Sequence, residues 1–238
     1  MKLAVYFPGV GYHCDKPLLY YARKIAAACG FDQHITLSYT TQIRDLLGNP
    51  ANMKAAFLEL YEQAESALDK TSVFSQQSGV ASCCDEILFI SKSVGTAIAA
   101  RYASEHSLPC RHILYTPLAE TFAFHPRNGI AFTGTADPWV NTAVIRQQCQ
   151  EHQIPFFLYE NANHSLETGD VFRNLDIIKE VMQKTEEFCV DESGWIHCPF
   201  CKCRTRTKIR ADTSLKNFPI FCPKCKQECL IDVDNMKI

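Results

Sequence analysis

Ser93, Asp137 and His164 occur in that order along a chain of 238 residues. Each follows an apolar run: Ser93 in FISKSVGTAIAARYA (89–103), Asp137 in TGTADPWV, His164 in YENANHSLE. A serine hydroxyl is a weak nucleophile until a base within hydrogen-bond reach takes its proton. Histidine can be that base, and a carboxylate that fixes its tautomer completes the set. The chemistry on offer is attack of Ser93 Oγ on a carbonyl carbon. Taken singly, each residue has an ordinary reading. Serine favours the helix N-cap, where its oxygen accepts a bond from an unpaired N–H. Asp137 before Pro138 suits a turn, and His164 suits a loop surface.

A second group lies near the C-terminus. CPFC at 198–201 and CPKC at 222–225 are separated by twenty residues. Two Cys-x-x-Cys pairs at this spacing read as a zinc site. Each pair makes a knuckle that presents two thiolates, and two knuckles close a tetrahedron with no open position. Zn2+ held by Cys198, Cys201, Cys222 and Cys225 would therefore be structural. Disulfides are the alternative, and Cys203, Cys229 and His197 leave the ligand set open.

The first 190 residues alternate between strand and helix patterns. Strands are expected at 3–7, 34–39, 86–90, 112–115, 130–133 and 156–159. Helices are expected at 17–29, 52–69, 96–104, 141–151 and 171–189. The helix at 52–69 rests on Met53, Ala56, Phe57, Leu60, Ala64 and Ala67 at helical spacing. Strand–helix alternation implies a mostly parallel sheet of about six strands with helices on both faces. Right-handed crossovers bring the C-terminal strand ends to one edge, where such sheets bind ligands. Ser93, Asp137 and His164 each fall just after a strand, so all three belong to that edge.

That order and placement carry a resemblance. Residues 1–190 resemble a compact α/β hydrolase lacking the first two strands of the full fold. SKSVG stands where that family has small-x-Ser-x-small, with Ser91 in place of the usual glycine. The resemblance implies a nucleophile Ser93, a base His164 and an orienting acid Asp137. It implies oxyanion donors at the N–H of Val94 and, from the turn after the first strand, Val10. The glycines of PGVGY would let that turn approach. Phe122, Phe124 and Trp139 could line an acyl pocket or belong to the core. His125 lies in an excursion, 117–129, that could cap the site. Lys92 is read as a solvated charge beside the turn.

Residues 195–233 resemble the cysteine-rich KTR family, small zinc-ribbon-like modules of bacteria. Arg204-Thr205-Arg206 stands where that family has Lys-Thr-Arg. The chain thus divides into an α/β-hydrolase domain, 1–190, and a zinc-ribbon domain, 191–238. The net charge of −2 argues against nucleic-acid binding by the whole chain. It hides a +3 segment at 191–238 and a −5 segment at 1–190. Basic residues at 202, 204, 206, 208, 210, 216, 224 and 226 interleave with Phe200, Phe218 and Phe221. That mixture can grip a nucleic-acid backbone and stack bases, or merely keep a small domain soluble. Thirteen cysteines, six of them at 198–229, do not describe a secreted disulfide framework. Cys29, Cys83, Cys84, Cys110 and Cys149 read as small core or surface residues. No targeting or membrane-spanning segment is visible, so a cytoplasmic location is expected.

The expected function is hydrolysis of a small ester or thioester through an acyl-enzyme, with the ribbon docking a nucleic-acid or protein partner. The alternative is a non-catalytic adaptor that keeps the hydrolase fold and binds nucleic acid or protein through the basic ribbon.

Overall fold

The computed structural model describes residues 1–71, 73–74, 84–190, 195–201, 204–209 and 212–234. Cys83, Cys203, Lys202 and Arg210 lie outside them. The elements run β1 (Lys2–Phe7), α1 (Pro17–Ala28), β2 (Gln33–Thr36), α2 (Pro50–Asp69), β3 (Glu86–Lys92), α3 (Val94–Glu105), β4 (Cys110–Tyr115), β5 (Gly129–Gly134), α4 (Thr142–Glu151), β6 (Phe156–Tyr159) and α5 (Val171–Cys189). Four short strands follow: β7 (Trp195–His197), β8 (Arg204–Lys208), β9 (Leu215–Phe221) and β10 (Glu228–Val233).

Strands β1 to β6 form one sheet in the order β2-β1-β3-β4-β5-β6, and every pairing is parallel. Both faces are covered, which is why the central strands read as nearly continuous apolar runs. Leu88 and Ile90 of β3 face α1 and α5, in a core with Leu18, Leu19, Ile177 and Val181. Phe89 points the other way, toward Leu60 of α2 and Ile98 of α3. Helix α4 packs on that second side farther along the sheet, with Ile145 and Cys149 against Leu114 and Ala131. Cys110 and Cys149 are buried, while Cys29 and Cys84 are half-buried.

The fold class and all eleven elements of the α/β part match the sequence expectation, and the differences lie at ends. Strand β2 stops at Thr36 rather than residue 39. It is an edge strand whose sole partner among the described residues is β1, and the pairing ends at Tyr6↔Thr36. Helix α3 begins at Val94, immediately after Ser93, two residues before the helical pattern becomes visible. The excursion at 117–129 is no lid. It holds a 3-10 turn at Ala119–Phe124, tied to α3 by the Thr121 and Thr96 hydroxyls at 2.6 Å, with Phe122 buried.

Close approach between α3 and β1 fixes the site edge. A Cβ built on Gly95 would stand 2.3 Å from Phe7 O and 2.4 Å from Pro8 O. Neither backbone atom can swing aside, so the helix itself must move. Gly95→Ala should destabilise the fold by about 3 kcal/mol, lowering Tm by roughly 5–10 °C. Thermal unfolding followed by circular dichroism checks this.

The C-terminal strands pair as two antiparallel ribbons, β7 with β8 and β9 with β10. Ile196, Ile209, Ile220, Ile231 and Val233 make their small core. Among the described residues no helix is long and apolar enough to cross a membrane.

Candidate active site and cysteine cluster

Strand β3 ends at Lys92 and the chain turns sharply at Ser93, with φ 57° and ψ −129°. A side chain is costly in that region, of order 1–3 kcal/mol. The turn is held by Ser93 N–H donating to Tyr115 O at 3.0 Å. Ser93 occupies the N-cap position of α3, yet its hydroxyl makes no capping bond. It meets His164 Nε2 instead, at 2.7 Å. Ser91 sits inside β3, fully buried, and its Oγ donates to Ile113 O at 3.1 Å. The side chain that replaces the usual glycine is thereby accommodated.

Asp137 comes from the turn after β5. Its Oδ1 accepts from Trp139 N–H at 2.9 Å, and its Oδ2 lies 2.7 Å from His164 Nδ1. The Asp137 carboxylate is fully buried within this pair. His164 comes from the loop after β6. That loop is braced by Asn163, whose Oδ1 accepts from Ser165 N–H at 2.7 Å and Glu167 N–H at 3.2 Å. The loops after β5 and β6 are laced together by Ala136 N–H to Ala162 O at 3.0 Å and Asn161 N–H to Thr135 Oγ1 at 2.7 Å.

With Asp137 accepting, Nδ1 carries the imidazole hydrogen and Nε2 is left to take a proton from Ser93 Oγ. Burial holds His164 below its ordinary 6.5; the Asp137 bond opposes this and the positive charge of Lys92 adds to it. The ring is thus held as the free base near neutral pH. Trp139 lies over His164, with ring centroids 5.5 Å apart.

A cleft of about 270 Å³ opens on this edge, lined by both Val10 and Val94 together with Ser93 and His164. Val94 is the first residue of α3, so its N–H has no partner within the helix. Val10 is at the tip of a tight turn in which Gly9 and Tyr12 exchange backbone bonds of 3.2 and 3.1 Å. A Cβ on Gly9 would lie 3.1 Å from Ser93 Cβ, so the missing side chain is what lets the turn close over the serine.

Of the aromatics with two readings, Trp139 lines the cleft. Phe122 is core, and Phe124 stacks on Phe57. His125 does not cap the site; it stacks on His152 in a separate depression of about 600 Å³. Lys92 overturns its sequence reading. It is 2% exposed and stands over the Tyr12 ring, 5.1 Å from its centroid. The signal was strand alternation: Lys92 shares a face with Leu88 and Ile90, which are core.

Each Cys-x-x-Cys pair caps one C-terminal ribbon, Cys198 and Cys201 between β7 and β8, Cys222 and Cys225 between β9 and β10. Their sulfurs all lie within 4.8 Å of one another. Cys198 Sγ is 3.6 Å from Cys225 Sγ, and Cys201 Sγ is 3.5 Å from Cys222 Sγ. Zinc bound to thiolate at about 2.3 Å in a tetrahedron separates sulfurs by about 3.8 Å, so the donor set fits a metal of this kind. Backbone N–H groups, that of Cys225 first, lower the Cys222 thiol to about 6. Cys229 stands outside the cluster and packs on the ribbon core.

Residues 193–238 match the cysteine-rich KTR family model. No curated protein matches the chain in sequence. Among solved structures, a dienelactone hydrolase from Anabaena variabilis is 13% identical, with TM-score 0.56 over 79% of this chain and 85% of its own. An esterase from Pyrococcus furiosus is 12% identical, with TM-score 0.52 over 79% of each chain. An α/β serine hydrolase homologue from Coxiella burnetii is 14% identical, with TM-score 0.51 over 77% of this chain and 84% of its own. The fold is that of the α/β hydrolases.

Proposed function

We propose that the chain is a serine hydrolase of small esters or thioesters. The observation that carries this is the bridging position of His164, 2.7 Å from Asp137 on one nitrogen and 2.7 Å from Ser93 on the other. Ser93 Oγ attacks the carbonyl carbon and its proton passes to His164 Nε2. The imidazolium is stabilised by Asp137. The tetrahedral oxyanion takes hydrogen bonds from the N–H groups of Val94 and Val10, each worth roughly 3 kcal/mol of barrier. Collapse breaks the bond to the leaving group, which receives the proton from His164. An acyl group remains on Ser93. Water, deprotonated by the same nitrogen, then releases it.

The test is labelling of the native protein with a fluorophosphonate probe and mapping of the adduct. One adduct on Ser93, lost in Ser93→Ala and suppressed in His164→Ala, is the expected result. No adduct on folded protein would remove the reading.

His164 must be neutral to act as base, and its pKa is depressed. Lowering the pH through that pKa protonates the base and removes activity. The acid limb of kcat/KM therefore has its midpoint below 6.5, and more than half of full activity remains at pH 6.5. A pH–rate profile from 4.5 to 8 checks this.

Residues 1–190 and 191–238 are proposed as two domains, the second a ribbon with structural Zn2+. Phe200 and Phe221 are 59% and 51% exposed there, and Arg206, Lys208, Lys216, Lys224 and Lys226 of the same segment are exposed too. This arrangement favours docking to nucleic acid, and it is the one feature that also favours an adaptor without turnover. Salt-sensitive binding of single-stranded DNA, weakened by Phe200→Ala and Lys208→Glu, would support docking. Such binding with no labelling at Ser93 would favour the adaptor.

A further inference from the structure

Two ammonium groups meet at one tyrosine ring in the cleft. Lys92 Nζ lies 5.1 Å and Lys16 Nζ 5.6 Å from the Tyr12 centroid. Tyr12 is itself fixed, because its hydroxyl accepts from Leu18 N–H at 3.1 Å. Both lysines line the cleft beside Ser93 and His164, and no carboxylate is among its lining residues. Neither lysine forms an ion pair among the described residues. The acids that act on Lys92 from a distance are Asp137 and Glu167. Asp137 is already bonded to His164 and Trp139.

A buried ammonium without a partner is costly. Burial lowers the Lys92 ammonium to about 7. An anion in the cleft would favour its charged form, and Lys16 lines the same cleft. The positive cleft is also set in a segment whose net charge is −5. Val10, Met53, Leu60 and Trp139 are among its apolar lining, enough for a short carbon chain.

We propose that the cleft selects an acyl ester or thioester that also carries an anionic group, a carboxylate or a phosphate, held by Lys92 and Lys16. This rests on the serine-hydrolase reading and adds the substrate class. The anion belongs either to the acyl chain or to the leaving group, and the two arrangements are separable.

The experiment compares matched ester pairs on the full-length protein. Mono-4-nitrophenyl glutarate against 4-nitrophenyl valerate places the charge on the acyl chain. 4-Acetoxybenzoate against phenyl acetate places it on the leaving group. In at least one pair the charged ester should have the higher kcat/KM, by tenfold or more, and the preference should shrink with added salt. Lys92→Met and, at the exposed position, Lys16→Gln should each cut that ratio severalfold to tenfold. A ratio of one or less in both pairs would overturn the proposal while leaving the hydrolase reading intact. So would a ratio that neither variant changes. If Ser93 takes no fluorophosphonate label, the hydrolase reading fails separately. The anion site is then read from calorimetric titration with glutarate and with inorganic phosphate. Binding lost in Lys92→Met keeps the site, and absence of binding removes it.

Discussion

Ser93→Ala should lower kcat/KM toward a short acyl ester by at least about 10⁴-fold, and His164→Ala by a similar factor. The double variant should be little worse than either single one. The reason is mechanical: once the hydroxyl is gone, the base has no proton to take, and the reverse holds equally. Asp137→Asn keeps the shape but places a donor where His164 Nδ1–H needs an acceptor. It should cost about 10⁴-fold by favouring the wrong tautomer. These losses assign chemistry; the stability of a further variant reads the strain at the turn. Ser93 holds φ 57° and ψ −129°, a region glycine occupies without penalty. Ser93→Gly should therefore be inactive yet more stable, by about 1 kcal/mol. A hydroxyl that capped α3 would offset only a few tenths of a kcal/mol of that gain. Calorimetric unfolding of Ser93→Gly beside wild type measures it.

The sheet was legible because its strands are buried on both faces and its helices are amphipathic. Both patterns are local: Phe89 and Ile90 face opposite cores, yet each is apolar, so β3 stands out without any knowledge of its partners. The placement of Ser93, Asp137 and His164 followed from topology, because a parallel sheet sends every such loop to one edge. Three things stayed hidden. The end of β2 depends on how far β1 runs beside it, a contact 30 residues away. Phe122 and Phe124 look alike in sequence and differ in what covers them, the first buried by α4 and its neighbours, the second stacked on Phe57. Lys92 reads as a surface charge because lysine is almost never fully buried, although it alternates in register with Leu88 and Ile90. The conflict between residue type and strand face is the pattern expected where function overrides packing.

Removal of metal should unfold the C-terminal ribbons and leave the triad in place. Cys225→Ser, or treatment with a strong chelator, takes away thiolate–metal bonds that contribute on the order of 10–16 kcal/mol when the metal is zinc. Among the described residues of 195–234, little else holds the ribbons together. Their core is essentially four isoleucines and a valine, and segments of this size are marginal without a metal or cross-link. The four sulfurs are free thiols gathered within 4.8 Å, so without a cation they bring like charges together once ionised. The expected results are one zinc per chain by native mass spectrometry, and rapid amide exchange at 195–234 after chelation. Slow exchange should persist in β1 to β6, whose core is built from other residues. If Ser93 still takes the fluorophosphonate label in the metal-free protein, the ribbon folds and docks apart from the chemistry. Loss of the label on chelation would instead make the two segments one cooperative unit and overturn the division at residue 190. Slow exchange at 195–234 in protein shown to be free of metal would remove the structural-zinc assignment itself.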